Sequence, residues 1–174
     1  GASIVLNDIA VAFYDSGKYE TAVDNYKESY KINEELGNKK VSAVILDNIG
    51  QVYENTFQFE KAVDFYEQSL DIVEDLGEKE EEAVIHEKIG NIHLEQNNLG
   101  KAIKSYEKSL EIDKELDRED NVAATLNNIG SVYYNLGKFD DAKDYYEQSL
   151  DVTKKIGDKK QISIALNNIG NISY

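Results

Sequence analysis

Two groups of side chains in this sequence could do chemistry by their type and spacing. The first is a pair of histidines. His86 and His93 stand seven residues apart, which on a helix rising about 1.5 Å per residue separates their Cα atoms by roughly 10 Å. A helical zinc pair instead uses the i, i+4 spacing of His-Glu-x-x-His. Two histidines satisfied by their neighbours are therefore expected, and no metal; a metal protein or enzyme centred on His86 and His93 is the reading opposed to this. No serine, cysteine or lysine stands beside a partner base, and no phosphate-loop or calcium-loop spacing occurs. The chain is expected not to be an enzyme and to need no cofactor.

The second group is a series of amides that recurs in steps of forty residues. Asn48, Asn128 and Asn168 keep that step, as do Asn127 and Asn167, with Asp47 and Glu87 at the corresponding places. Gln51, Asn91 and Asn171 form a further set. An amide offers both a donor and an acceptor, so a regular row can hold the backbone of an extended peptide without choosing its sequence. Asparagine is a mediocre helix former, so its recurrence favours a role beyond a solvated face.

The elements that must position these amides also repeat at forty residues. Ile9-Ala10, Ile49-Gly50, Ile89-Gly90, Ile129-Gly130 and Ile169-Gly170 mark one landmark; Ala22, Ala62, Ala102 and Ala142 mark a second. Tyr26, Tyr66, Tyr106 and Tyr146 with Ser29, Ser69, Ser109 and Ser149 mark the third. An uninterrupted period of this kind signals a solenoid or array. Within each repeat, spacings of three and four put Leu126, Ile129, Gly130 and Tyr133 on one helical face, and Phe139, Ala142, Tyr146, Ser149 and Leu150 on another. Gly137 supplies the turn between two helices, and Gly157 a left-handed C-cap.

The aliphatic-Gly pair, the aromatic three residues later, the Gly-x-aromatic turn and the Ala, aromatic and small residues that follow resemble the tetratricopeptide repeat. The usual repeat is about 34 residues long and closes with proline. This chain has no proline, and its second helices run on through stretches such as Asp71-Ile72-Val73-Glu74-Asp75-Leu76. It is thus similar to the long-helix branch found in kinesin light chains, Rap-type bacterial regulators and bacterial signalling proteins. The resemblance implies an all-α, right-handed superhelical solenoid of antiparallel helix pairs. One array over 1–174 is expected, with repeats 1–40, 41–80, 81–120 and 121–160 and a partial repeat 161–174. The opening Gly1-Ala2 without methionine reads as the remnant of a cleaved tag, so a segment of a larger protein is expected.

In that family the first helices line the concave side, and the resemblance places five columns there. They hold Asp47, Glu87, Asn127 and Asn167; Asn48, Asn128 and Asn168; Gln51, Asn91 and Asn171; Glu54 and Tyr134; and, beside these, Asn55, Glu95 and Asn135. In kinesin-light-chain and Rap-like relatives the second column touches the peptide backbone, and the resemblance carries that role to Asn48, Asn128 and Asn168. Asp8 and Lys88 depart from it. The first part of the groove carries Asp8, Asp15, Asp47, Glu54, Glu87 and Glu95 against Lys88, so a partner with basic residues is expected there, with uncharged or aromatic residues further on. The carboxylate clamp of chaperone-binding relatives is missing: Asp47 and Glu87 stand where its leading lysine would.

A net charge of −15 repels phosphate backbones and anionic bilayers and attracts basic segments. Nucleic acid and membranes are not expected partners; a protein or peptide is. The chain has no cysteine, no span-length apolar run and no signal-peptide core, in keeping with a cytoplasmic setting. The rival reading is an architectural or consensus-like array with no specific ligand that associates end to end, since the partial repeat leaves apolar surface uncovered. Two irregularities are expected. Phe57 stands where Gly17 and Gly137 make turns, so that turn should take another shape, with Phe57 tucked inward. The third repeat, with Asn97-Asn98-Leu99 and with Asp117 replacing a capping glycine, should be the least regular.

Overall fold

The computed structural model of the chain describes residues 1–172. Tyr174, which the repeat places in the column of Tyr134, lies outside them. Among the described residues there are nine helices and no strand, and no helix is long and apolar enough to cross a membrane. The helices fall into two compact units, Gly1–Glu81 and Glu82 onward.

The first unit holds α1 (Ala2–Asp15), α2 (Tyr19–Glu35), α3 (Lys39–Asn55) and α4 (Phe59–Leu76). Successive helices pack antiparallel, α1 on α2, α2 on α3 and α3 on α4. Ala10, Ala22, Val23, Tyr26, Ile45, Ile49 and Val52 close its core. Ala10, Ala22, Tyr26 and Ile49 are landmarks of the forty-residue repeat; Val23, Ile45 and Val52, which the sequence reading did not single out, extend the same buried core. The second unit holds most of α5 (Lys79–Glu95), then α6 (Leu99–Glu115), α7 (Glu119–Asn135), α8 (Phe139–Ile156) and α9 (Lys159–Ile172). Its core gathers Ala102, Tyr106, Leu110, Val122, Leu126, Ile129 and Val132.

Two devices fix the helix pairs. Gly50, Gly90 and Gly130 let the rings of Tyr66, Tyr106 and Tyr146 lie against the backbone of the preceding helix, so closely that an added Cβ would stand 2.7 Å from each ring. Beside this contact a buried serine hydroxyl donates to a carbonyl on the facing helix: Ser29 to Ser3 at 2.9 Å, Ser69 to Ala43 and Ser149 to Ala123 at 2.8 Å. In these three pairs the buried hydroxyl finds the partner that burial requires, whereas Ser109, at the same repeat position and equally buried, makes no such bond.

Every turn between helices uses one residue of positive φ, and here the expectations about irregular turns fail. Gly17, Gly37, Gly77, Gly137 and Gly157 have φ between 70° and 77°. Phe57, Asn97 and Asp117 adopt the same conformation, at 57°, 58° and 54°. The turn hydrogen bonds persist as well: Gln58 N–H donates to the Tyr53 carbonyl at 2.9 Å and Asn98 N–H to that of His93 at 2.7 Å, as Lys138 N–H does to Tyr133 at 3.0 Å. The third repeat is therefore as regular at its turns as the others. Phe57 is not tucked in; it is 77% exposed and meets Phe59 edge to face, with ring centroids 6.1 Å apart. The packing of the flanking helices overrides a local penalty of about 1–2 kcal/mol for a left-handed L-residue.

Candidate functional site

The first helix of each repeat presents one side to its second helix and leaves its amide columns on the other. Helical periodicity alone produces this: residues three and two before the Ile-Gly glycine, and one, four and five after it, lie off the apolar stripe. Asp47, Asn48, Glu54, Glu87, Asn91, Asn127, Asn128 and Asn168 are half-buried, whereas Gln51, Tyr134, Asn167 and Asn171 are exposed.

In the second unit these residues converge. The Asn168 amide donates to Asn127 Oδ1 at 2.7 Å, and the Asn128 amide to Glu87 Oε1 at 3.4 Å. Both bonds join residues forty-one apart, so each amide steps down to the neighbouring column of the preceding repeat. Tyr134, Asn168 and Asn171 wall an open depression of about 240 Å³ together with Ser131, Asn135 and Tyr146. The Tyr134 ring is held by an edge contact to Phe139, with centroids 5.4 Å apart. Asn167 is on the same helix but outside this depression.

In the first unit Asp47, Asn48, Gln51 and Glu54 share α3. The step between repeats is made there by Asn55, whose amide donates to the Tyr14 hydroxyl. No such bond joins Asn48 to Asn7, and Asn7 Oδ1 is buried without a donor.

The sequence reading did not foresee the second-helix tyrosines. Each of these hydroxyls passes the helix-pair contact and reaches one of the first-helix columns: Tyr66 donates to Glu54 Oε2 at 2.5 Å, Tyr106 to Asn91 Oδ1 at 2.6 Å, and Tyr146 to Ser131 Oγ at 3.2 Å. Burial pushes the Tyr66 phenol far above its usual range, and the bonded Glu54 carboxylate raises it further; Tyr106 is raised by burial and then by Glu87 and Glu95. These hydroxyls stay protonated at any physiological pH and act as fixed donors. Glu54 and Asn91 thus each have one acceptor already engaged.

A second feature missed in the sequence supports Glu87. Asp113, 1% exposed, pairs with Arg118 at 3.5 Å, and the guanidinium also faces the Asn121 amide. Burial, then repulsion from Asp113, raises the Glu87 carboxyl above its usual range, while Arg118 and the Asn128 amide pull it down. Burial raises Asp113 too, against Arg118. The available signal was the chain's single arginine, five residues after a carboxylate that stands where other repeats have Val73 and Thr153. His86, 4% exposed, and the half-buried His93 lie on different turns of α5.

Solved structures share this architecture. BtubC (BKLC) from P. vanneervenii is 24% identical, with a TM-score of 0.84 over 96% of this chain and 70% of its own. The apo form of RapI gives a TM-score of 0.91 at 17% identity, over 98% of this chain and 48% of its own. A Rap protein complexed with competence and sporulation factor gives 0.71 at 19% identity, with the same two coverages. The chain thus spans about half the length of these Rap structures, and the likenesses are of fold. A comparison with curated proteins gives no match. The family description Tetratricopeptide repeat matches residues 1–75, 41–115 and 121–174, and together with the paired helices this establishes that the chain belongs to the tetratricopeptide repeat family.

Proposed function

We infer that this chain is a non-enzymatic protein-interaction module that holds an extended segment of another protein on the amide-bearing faces of its first helices, as the docking or sensing part of a cytoplasmic signalling or scaffold protein. Tetratricopeptide arrays are a protein-interaction fold, and a Rap protein of similar fold is complexed with competence and sporulation factor. The observation that carries the reading is the depression where Tyr134, Tyr146, Ser131, Asn168 and Asn171 converge. Two aromatic rings give it apolar area at low entropic cost, and the amides and hydroxyl offer donors and acceptors to a peptide backbone.

The chemistry of the segment follows from each face. Asp8, Asp15, Asp47 and Glu54 on the first unit suit lysine or arginine; the neutral face from Asn127 onward suits amide or aromatic side chains. The test is a titration of three unstructured peptides, one bearing lysine, one tyrosine and asparagine, one glutamate. The first two bind, and Asn128→Ala with Asn168→Ala weakens the tyrosine and asparagine peptide by about fivefold, the loss of roughly one net hydrogen bond. Unchanged binding in that double variant, or an acidic peptide that depends on these amides, contradicts the assignment.

A second reading rests on Val5, 57% exposed, and Leu166, 52% exposed: an architectural array that associates through such apolar surface. It requires the sedimenting mass to rise with concentration while none of the three peptides binds.

A further inference from the structure

The first unit carries a second surface of opposite charge, away from the amide columns. An open cleft of about 770 Å³ lies where the turn after α1 and the turn after α3 come side by side. Val23, Val52, Tyr19 and Tyr53 form its floor and walls, and Lys18, Lys27 and Lys61 project around it. Asn48, Gln51, Glu54 and Asn55 do not line it.

These lysines are handled unusually for so acidic a chain. Among the described residues none of the three has a carboxylate within ion-pair distance, although Glu20 and Asp24 also border the cleft. Each ammonium instead stands over a ring: Lys18 at 5.6 Å from the Phe13 centroid, Lys61 at 5.1 Å from Tyr53 and Lys27 at 6.0 Å from Phe65. Tyr53 and Phe65 are themselves stacked, 5.5 Å apart. Lys61 is further steered by Gln58 Oε1 at 2.8 Å. A ring holds a cation without neutralising it, so three positive charges remain available around one cleft.

The fold does not require them. Eighty residues on, the same repeat positions hold Asn98, Glu107 and Asp141, and the bordering Glu20 and Asp24 become Gly100 and Lys104. Only the first unit combines the three lysines.

We propose that this cleft docks an acidic, extended segment of a partner protein, whose carboxylates meet Lys18, Lys27 and Lys61 while its backbone crosses Val23, Val52 and Tyr53. Three ammonium groups over three separate rings suit several carboxylates spaced along a chain rather than one compact anion. Alternate side chains of an extended strand, about 7 Å apart on one face, provide that spacing. The site is independent of the amide columns, so a chain could bind two segments of opposite character.

The test uses a short rhodamine-labelled peptide of alternating glutamate and glycine, titrated by fluorescence anisotropy at low salt. A matched peptide of glutamine and glycine serves as control. The variant carries Lys18→Asn, Lys27→Glu and Lys61→Asp, residues that the later repeats already tolerate, and its helicity is checked by circular dichroism. The glutamate peptide binds the wild type, binding weakens with added salt, and the variant loses about tenfold or more in affinity. A second variant, Lys27→Gln with Lys61→Gln, gives a smaller loss in the same direction. Asn128→Ala with Asn168→Ala leaves this binding unchanged, which separates it from the proposal for the amide face. The proposal is overturned if the glutamate peptide does not bind, if the glutamine peptide binds equally well, or if the lysine swap has no effect. It is overturned too if inorganic phosphate displaces the peptide far better than chloride at equal ionic strength, since the cleft would then hold a single compact anion.

Discussion

Tyr66 lies across Gly50 so closely that a Cβ on the glycine would stand 2.7 Å from the ring. Tyr106 on Gly90 and Tyr146 on Gly130 repeat the contact, and at Gly130 the Ala142 carbonyl oxygen adds a second obstacle at 3.3 Å. Overpacking such a contact costs about 1–3 kcal/mol, which outweighs the gain of about 1 kcal/mol from replacing a helical glycine by alanine. Gly130→Ala should lower stability in urea denaturation. Gly100→Ala, where an added Cβ meets nothing within 4 Å, should be neutral or stabilising. Equal effects at the two sites would contradict the tyrosine contact as the cause. Ala10, fully buried in the first repeat, shows that the column admits alanine where its surroundings have adjusted.

Phe57 holds φ at +57° with its ring 77% exposed. Phe57→Gly should raise stability by up to about 1.5 kcal/mol: relief of about 1–2 kcal/mol of left-handed strain is offset by roughly 0.5–1 kcal/mol of added unfolded-chain entropy. Chemical denaturation of the pair checks this, and a loss of stability would mean that the edge contact to Phe59 outweighs the strain.

Ser149 donates from a fully buried site to the Ala123 carbonyl at 2.8 Å. Ser149→Ala should cost about 1 kcal/mol, the net value of one hydrogen bond, because the Ala123 carbonyl keeps its helical partner. The melting temperature reads the effect, and no change would remove the serine from the determinants of helix pairing.

The helix pairs were legible in the sequence because period and spacing report directly which face is buried, as at Ile129, Gly130 and Tyr133. Phe57, Asn97 and Asp117 were misread because local cost was weighed without the packing that imposes the turn. The amide columns were legible as rows, since Asn127, Asn128 and Asn168 recur at a fixed step. Their bonding was not, because the donors cross between repeats at a spacing of forty-one. Nor does the sequence reveal that the Tyr106 hydroxyl reaches past its own helix contact to Asn91; that depends on how deeply the ring sinks beside Gly90.

Glu87 and Asp113 set a pH dependence. Burial raises both carboxyls, with Asp113 adding to the rise at Glu87 and Arg118 opposing it at both. The native state therefore holds protons more tightly than the unfolded chain at these sites. Their charged forms cost stability at neutral pH, and that cost disappears as pH falls through the raised folded-state values. Stability should rise between about pH 7 and pH 5, with a smaller rise in Glu87→Gln, which can still accept from the Asn128 amide. General relief of charge repulsion is nearly common to both proteins, so the difference in slope of melting temperature reports Glu87. Identical slopes would contradict the assignment.

The amide faces as a peptide dock are tested most directly by the side-chain amide resonances of Asn128, Asn168 and Asn171 in a nitrogen-15-labelled chain, followed as the tyrosine and asparagine peptide is added. These three resonances should shift together and saturate, while those of Asn25 and Asn38, on other faces, stay in place. Saturable binding that leaves Asn128, Asn168 and Asn171 unmoved would contradict it.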